Sequence, residues 1–318
     1  MTRWTEAARG VLGDYILTKH DDNTVPFLEA LIEHAPTDSG RRSICESILE
    51  CVGKVDKDNS LSALLYQLRE HYMTGIFYPI RAQGGKTPKV TEHPSRRDSM
   101  ERETILNEAY LSAAKRDPKK LKNLALLRDS YQSVITGVVD RGTAKARGVP
   151  RDVEVAVTEA AHILPFSLAT GLPERAHVCT VLSSFSGWDV ATIIGGDEIN
   201  RLGNVFTLTT HEHAHFGQLD WWLEKVQETN DTYVICSAWR VAGIPTGATI
   251  KFSDNGSGLE LPDPRLIAIH AACAKVLDQS AMAEFVDNEL RDMEETPVLA
   301  EDGSSKALMT ALRCIAAS

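Results

Sequence analysis

The feature that most constrains the fold is a change of residue pattern after Asp129. Before it, apolar residues recur at spacings of three and four, as in PFLEALIEH (26–34), SICESILECV (43–52) and SLSALLYQLREHYMTGIF (60–77). This spacing is typical of amphipathic helices. After it come short stretches rich in β-branched residues, SVITGVV (133–139) and EVAVTEA (154–160), which predict strands. The sequence therefore predicts an α+β protein.

The same patterns predict how the chain is organised. LDWWLEKV (219–226) and DTYVICSAW (231–239) predict an antiparallel hairpin, and Pro118 suits the first turn of a helix. We expect a central core with antiparallel hairpins, wrapped by N-terminal and C-terminal helices. The predicted regions are an N-terminal helical region (1–80), a Gly-, Pro- and Ser-rich connector (81–99), helices (100–129), the core (130–260) with an insertion (168–199), and C-terminal helices (261–318).

The cysteines and the apolar runs exclude several classes of protein. The six cysteines are scattered and form no CxxC pair, which favours a reduced protein over a disulfide framework or a zinc ribbon. No apolar run approaches the length of about 18 residues that a membrane span needs, so we expect no membrane partner. The first residues, MTRWTEAARGVLGDY, lack the basic start and apolar segment of a secretion signal. We therefore expect an intracellular protein, cytoplasmic or nuclear.

Charge is unevenly distributed along the chain. The net charge of −10 argues against a general nucleic-acid binder. Residues 115–147 nevertheless hold nine Lys and Arg against three Asp, and such a basic strip could contact a phosphate backbone. A solvated helix face is the alternative. The predicted nucleic-acid contacts are Lys115, Arg116, Lys119, Lys120 and Lys122.

Three polar residues in the core suggest catalytic chemistry. His162 ends a predicted strand in TEAAHILP, Asn204 opens the strand NVFTL, and His213 follows nine residues later at a predicted helix start. A neutral imidazole can take a proton from water, and an amide can orient its neighbours or bind a cation. A helix-borne imidazole can complete a divalent metal site. Each residue alone is also typical of a satisfied core histidine or a turn asparagine.

The neighbouring histidines allow a second interpretation. TTHEHAHF resembles the H-x-H-x-D-H zinc motif of metallo-β-lactamase-like hydrolases, but His215 and Phe216 stand where Asp and His are required. If this segment is helical, His211 and His215 share one face and His213 points elsewhere. We keep His211 and His215 as secondary site candidates, either structural or in contact with a phosphate.

Longer stretches resemble a known family. YPIRAQGGKTPKVTEHPSR, LRDSYQSVITG, TEAAHILPFSL and INRLGNVFTLTTHEHAHFGQLDWWLE resemble, in order, HNH endonuclease family proteins abundant in mushroom-forming fungi. So do CAKVLDQSAMAEFVDNELRDMEE and LAEDGSS, and together the blocks cover roughly residues 70–310. The resemblance implies a ββα-metal nuclease core. It also implies that His162 is the general base, Asn204 the hairpin asparagine and His213 the metal-side histidine.

The chain departs from the family pattern at three positions. Gln132 and Ser133 stand where the family usually has Arg and Cys, a change that would remove a phosphate contact and a core thiol. Ala161 precedes the expected base where many HNH enzymes have an Asp or His metal ligand. Asp197 or Glu159 could supply the missing ligand, and we predict a metal site of His213, Asn204 and Asp197.

The functional hypothesis is divalent-metal-dependent phosphodiester hydrolysis. Mg²⁺ is the first candidate, and a mixed nitrogen and oxygen site also tolerates Mn²⁺ or Zn²⁺. The alternative is a degenerate HNH fold reused for acid/base chemistry on a small molecule, for example in a fungal biosynthetic enzyme, or a binding module without catalysis. Trp221 and Trp222 are expected to pack in the hairpin, although one could stack on a base.

Overall fold

The computed structural model describes residues 3–17, 22–83, 108–165 and 172–295. The chain divides into two compact units. The first comprises Met1–Ala82, Thr170–Thr192 and Ala272–Ser318, and the second comprises Gln83–Ala169 and Ile193–Ala271. Each unit is described below by itself.

Helices outnumber strands in the described residues. The helices are α1 (Arg3–Gly13), α2 (Thr24–His34), α3 (Asp38–Gly53), α4 (Leu61–Tyr72), α5 (Tyr78–Gln83), α6 (Glu108–Ala114), α7 (Pro118–Arg128), α8 (Arg141–Arg147), α9 (Leu172–Ser186), α10 (Val190–Ile194), α11 (Thr210–Gly217), α12 (Pro264–Gln279) and α13 (Ala283–Glu295). A π-helical turn, Met73–Phe77, joins α4 to α5, and 3₁₀ turns occupy Gly196–Asn200 and Leu202–Asn204. The strands are β1 (Val139–Asp140), β2 (Val155–Ala156), β3 (Thr158–His162), β4 (Val205–Thr209), β5 (Trp221–Lys225), β6 (Thr232–Ser237) and β7 (Thr249–Lys251).

Close helix packing builds the first unit. A Cβ on Gly40 of α3 would lie 2.1 Å from the Phe185 carbonyl oxygen of α9, so only glycine permits this approach. Thr37 caps α3 by accepting a hydrogen bond from the Gly40 amide at 3.0 Å, and its hydroxyl donates to the Ser186 carbonyl at 2.7 Å. The segment that forms α9, expected within the insertion 168–199, therefore packs with the N-terminal helices.

The second unit holds the strands and the helix that follows them. β3 and β4 pair antiparallel, with Thr158 opposite Thr209 and His162 opposite Val205, and α11 begins directly after β4. Thr209 and Glu212 form a capping box at the start of α11, which fixes the direction in which the chain leaves the strand. β5, β6 and β7 form a separate antiparallel sheet.

The predicted fold class, the predicted hairpin and the helix predicted from Pro118 are confirmed by this architecture. Helices and small antiparallel sheets together make an α+β protein, and the hairpin predicted at 219–226 and 231–239 is β5 and β6. The helix predicted from Pro118 runs to Arg128, with Asp117 as its N-cap. No helix in the described part of the chain is long and apolar enough to cross a membrane. Most of the connector predicted at 81–99 lies outside the described residues.

The strand predicted over SVITGVV is wrong. Residues 134–136 form a turn, and only Val139 enters a strand. The Gly137 amide donates to the Ser133 carbonyl at 2.9 Å, and the Ser133 amide donates to the Val138 carbonyl at the same distance. Gly137 has a φ of +73°, a conformation that glycine adopts readily. The turn at Gly137 outweighed the β-branched composition.

A buried ion pair ties the end of α7 to the hairpin strand β4. Arg128 is fully buried and donates from Nε and Nη2 to the two carboxylate oxygens of Asp129, at 2.7 and 3.1 Å. Its remaining N–H groups donate to the main-chain carbonyls of Leu202, Val205 and Glu260, at 2.8–3.0 Å. All five guanidinium donors are thus used. The second unit therefore depends on Arg128 as a cross-link between distant main-chain segments.

We expect Arg128→Met to lower the free energy of unfolding by about 3–5 kcal/mol, since it leaves Asp129 as an uncompensated buried charge. Urea denaturation measures the loss. Arg116→Met is the matched control, because Arg116 forms an ion pair whose partners are 80% and 49% exposed and such pairs contribute about 0–1 kcal/mol. Similar small losses in both variants would contradict the assigned role of Arg128.

Candidate functional site

The β3–β4 hairpin and α11 bring three ionisable side chains together. His162 is the last residue of β3, Glu159 lies earlier on the same strand, and His213 lies on α11. The imidazole of His213 is close enough to His162 that positive charge on His213 lowers the pKa of His162. His213 is 3% exposed and His162 8% exposed, so both rings are shielded from water.

Asn200 orients the imidazole of His162. The Asn200 amide nitrogen donates to the Lys115 carbonyl at 2.9 Å, which turns its oxygen, Oδ1, toward His162. This oxygen lies 2.8 Å from His162 Nε2 and can only accept, so Nε2 carries the hydrogen. The lone pair of the neutral ring is then on Nδ1, the nitrogen that can take a proton.

Burial determines the protonation state of His162. It lowers the pKa of the imidazole to about 4, because the charged form is desolvated. The charge of His213 lowers this pKa further, whereas the hydrogen bond to Asn200 raises it. His162 is therefore neutral at pH 7.

Glu159 fixes the second imidazole. Its Oε2 lies 2.7 Å from His213 Nδ1, and an ionised carboxylate accepts the hydrogen that Nδ1 carries. The lone pair of neutral His213 is then on Nε2. A histidine held in this way by a carboxylate is the usual arrangement for a metal ligand.

Asn204 is built into the hairpin rather than presented to a ligand. It is fully buried, and its carbonyl oxygen accepts from the Leu164 amide at 3.0 Å. Its amide nitrogen donates to the carbonyls of Leu164 and Ile199, at 3.0 and 2.9 Å. These contacts close the chain after β3 onto the start of β4, which is a positioning role.

Glu212 is a second buried anchor under the site helix. Its carboxylate accepts from the Ser133 hydroxyl at 2.7 Å, the Thr136 hydroxyl at 2.6 Å and the Thr209 amide at 2.7 Å. Ser133, which stands where the family usually has cysteine, is therefore a strong hydrogen-bond donor that a thiol would replace poorly. Gln132, at the usual Arg position, is half-buried beside it.

Asp197 and several residues of the basic strip have partners within the chain. Asp197 is about half exposed and pairs with Arg116 at 2.5 Å, and Lys115 pairs with Glu198. Lys122 donates to the Thr158 carbonyl at 2.6 Å. Asp197 therefore has a cationic partner. Of the two carboxylates that the sequence offered, Glu159 is the one that contacts His213. Asp117 caps α7 by accepting from the main-chain amides of Lys119 and Lys120, and the Lys120 ammonium lies 3.9 Å from its carboxylate.

The remaining candidates are divided between core and surface. His211 and His215 share one face of α11 with ring centroids 4.7 Å apart, as the helical interpretation predicted, while His213 lies in the interior. Trp221 is fully buried and Trp222 is 6% exposed, so both pack in the core and neither is available to stack on a base.

The donor set can be tested against the divalent metal that the resemblance implies. In the ranges that the structure describes, no three His, Cys, Asp or Glu side chains come together as a metal cluster. His213 could nevertheless offer Nε2 to an ion, while Glu159 contacts Nδ1 of the same ring and positions it. Divalent ions that keep water and substrate phosphate as ligands need few protein ligands. His213 fits such an ion as a single protein ligand.

The comparison with family models assigns this region. Residues 133–224 match the family model described as HNH endonuclease, a range that includes His162, Asn204 and His213. A search of the curated proteins and a search of the solved structures each found no match. The chain therefore carries an HNH endonuclease domain, and this domain suggests a nuclease-type function acting on nucleic acid. The narrower resemblance to the fungal branch stays a prediction.

The sequence reasoning missed Asn200. It assigned the orienting amide to Asn204, four residues later, whereas the residue in contact with His162 is Asn200. The available signal was a second asparagine in DEINRLGN, in the turn that leads into β4. Only the 3₁₀ turn Gly196–Asn200 brings it to the imidazole.

The lowered pKa of His162 predicts a pH-dependent stability. Between pH 6.5 and 4 the unfolded chain binds a proton on His162 that the folded chain does not, so stability falls as pH falls. Above pH 6.5 none of this stability is lost. At pH 4 the loss of unfolding free energy reaches about 3 kcal/mol. Chemical denaturation across this range measures it.

His162→Gln should remove that share of the pH dependence and retain the share from His270, whose pKa burial also lowers to about 4. Parallel stability curves for wild type and variant between pH 6.5 and 4 would contradict a buried neutral His162.

Proposed function

We propose that the chain hydrolyses phosphodiester bonds in nucleic acid with a divalent metal ion and with His162 as the general base. The observation that carries this proposal is the buried imidazole at the end of β3, held by Asn200 with its lone pair on Nδ1. The HNH endonuclease domain match over residues 133–224 supports the reaction class.

In this mechanism His162 takes a proton from the attacking water at Nδ1. A pKa of about 4 keeps the imidazole neutral at working pH, although it also makes the group a weak base. The hydrogen bond to Asn200 strengthens as positive charge develops on the ring, because the amide oxygen accepts from Nε2. Asn200 thus stabilises the imidazolium that forms in the transition state.

His213 is the proposed metal ligand, and Glu159 is the group that positions it. The Glu159 carboxylate holds the hydrogen on Nδ1, so Nε2 is the nitrogen of His213 that would hold the ion. The ion, when bound, supplies charge neutralisation for the phosphate and its leaving oxygen. Mg²⁺ is the first candidate, with Mn²⁺ and Zn²⁺ as alternatives. Asn204 acts through the hairpin rather than on the ion.

The experiment is cleavage of plasmid DNA and of a mixed RNA pool with Mg²⁺, Mn²⁺ or Zn²⁺. We expect His162→Ala to reduce turnover about 100- to 10,000-fold, which is the usual contribution of a positioned general base. Glu159→Gln should raise the metal concentration needed for activity by about 10- to 100-fold. His213→Ala, which removes the ligand itself, should raise it by more than Glu159→Gln does.

His34→Ala is the matched histidine control, since His34 lies on α2 and contacts Gln279 outside the matched domain. It should cleave at the wild-type rate. Full activity of folded His162→Ala would remove His162 from the mechanism. A wild-type protein that cleaves neither substrate with any of the three metals would overturn the proposed function.

A further inference from the structure

A pair of histidines lies on the outer face of α11, apart from the proposed catalytic groups. His211 and His215 are separated by one helical turn, and their ring centroids are 4.7 Å apart. His211 is exposed and His215 is half-buried, whereas His213 on the same helix is buried. The pair therefore faces a different side of the helix from the group that the proposed mechanism uses.

Each imidazole of this pair is held by an oxygen acceptor on its outer side. His215 Nδ1 lies 2.7 Å from Asp220 Oδ2, and His211 Nε2 lies 2.8 Å from the Ala242 carbonyl oxygen. Both acceptors fix the hydrogen on the nitrogen that contacts them. The lone pairs of the two neutral rings are then on His211 Nδ1 and His215 Nε2.

Main-chain hydrogen bonds hold Asp220, and the segment that carries Ala242 lies against His211. The Asp220 amide donates to the His215 carbonyl at 3.0 Å, and the Ala238 amide donates to the Asp220 carbonyl at 3.1 Å. Gly243, next to Ala242, has a φ of +77°, and a Cβ there would lie 3.8 Å from the His211 ring. The segment after β6 therefore runs against His211, and the outer anchors do not depend on flexible side chains alone.

We propose that His211 and His215 form a second metal site, which binds a transition-metal ion of the zinc class. Two histidines one helical turn apart are a common metal-binding arrangement, and metal-bound histidines usually donate their other N–H to a carboxylate or a main-chain carbonyl. Both outer contacts are present here. With two protein ligands the site is open, and water completes the coordination.

The donor chemistry distinguishes this site from the hairpin site. Two imidazole nitrogens suit Zn²⁺, Ni²⁺ or Cu²⁺, whereas Mg²⁺ and Ca²⁺ prefer oxygen ligands. The second site therefore takes Zn²⁺ in the presence of millimolar Mg²⁺. It does not depend on the proposed nuclease mechanism, because neither His211 nor His215 has a role in it.

The test is Zn²⁺ binding to the full chain after removal of metal with a chelator, followed by competition with a chromophoric zinc indicator. We expect His211→Ala and His215→Ala each to lose one zinc equivalent relative to wild type, in buffer that contains excess Mg²⁺. Asp220→Asn should keep that equivalent but weaken it by about 10- to 100-fold, as for other outer-shell carboxylates.

His213→Ala is the control that separates the two sites, since it should retain the equivalent that His211→Ala loses. Circular dichroism checks that each variant is folded. Unchanged zinc stoichiometry and affinity in folded His211→Ala and His215→Ala would overturn the proposal. So would displacement of this zinc by Mg²⁺, or loss of the same equivalent in His213→Ala.

Discussion

The burial of the Arg128 guanidinium is the constraint on which the rest of the second unit depends. An arginine at zero exposure is tolerated only when its charge is paired and its donors are used. Asp129 supplies the charge, and the carbonyls of Leu202, Val205 and Glu260, from two separate segments, supply the remaining acceptors. Asp129 also accepts from the Thr207 amide of β4 at 2.8 Å. The pair thereby fixes where β4 lies, and β4 fixes where α11 begins.

The candidate site follows from that placement. Asn204, between two residues whose carbonyls accept from Arg128, locks the chain after β3 against β4. Glu212 then fixes the first turn of α11 through Ser133, Thr136 and Thr209. These buried polar groups leave His162 at the strand end with Asn200 at one nitrogen, and His213 beside it with Glu159. Rigid support of this kind is what a general base needs, because small displacements reduce proton transfer strongly.

The sequence predicts the elements of this arrangement better than its contacts. Local signals were sufficient for three elements. Pro118 marked the start of α7, and residue periodicity predicted the β5–β6 hairpin and the shared face of His211 and His215. The strand prediction over 133–139 was wrong because Gly137 favours a turn there in spite of the β-branched composition. The partners of Asn204, Asp197 and Lys122 could not be predicted, because they are long-range contacts that only the folded chain creates. The same holds for Asn200, whose role depends on the turn that brings it to His162.

The two proposed metal sites of the second unit differ in chemistry as well as in position. His213, positioned by Glu159, provides one imidazole nitrogen near the proposed base, while the outer face of α11 provides two imidazoles, each held by an oxygen acceptor. Both arrangements use an oxygen acceptor to select the tautomer of a histidine. The central claim is that Asn200 and burial together set the tautomer and the charge of His162.

Nitrogen-15 NMR of the histidine side chains, with His162 assigned by comparison with His162→Gln, measures both properties in the metal-free protein. The account predicts that at pH 7 the ring of His162 is neutral with its hydrogen on Nε2, and that it gains a second proton only as the pH approaches about 4. In Asn200→Ala the Nε2–H tautomer should no longer be favoured. A His162 that titrates near 6.5, its ordinary value, or that carries its hydrogen on Nδ1 at pH 7, would contradict the account.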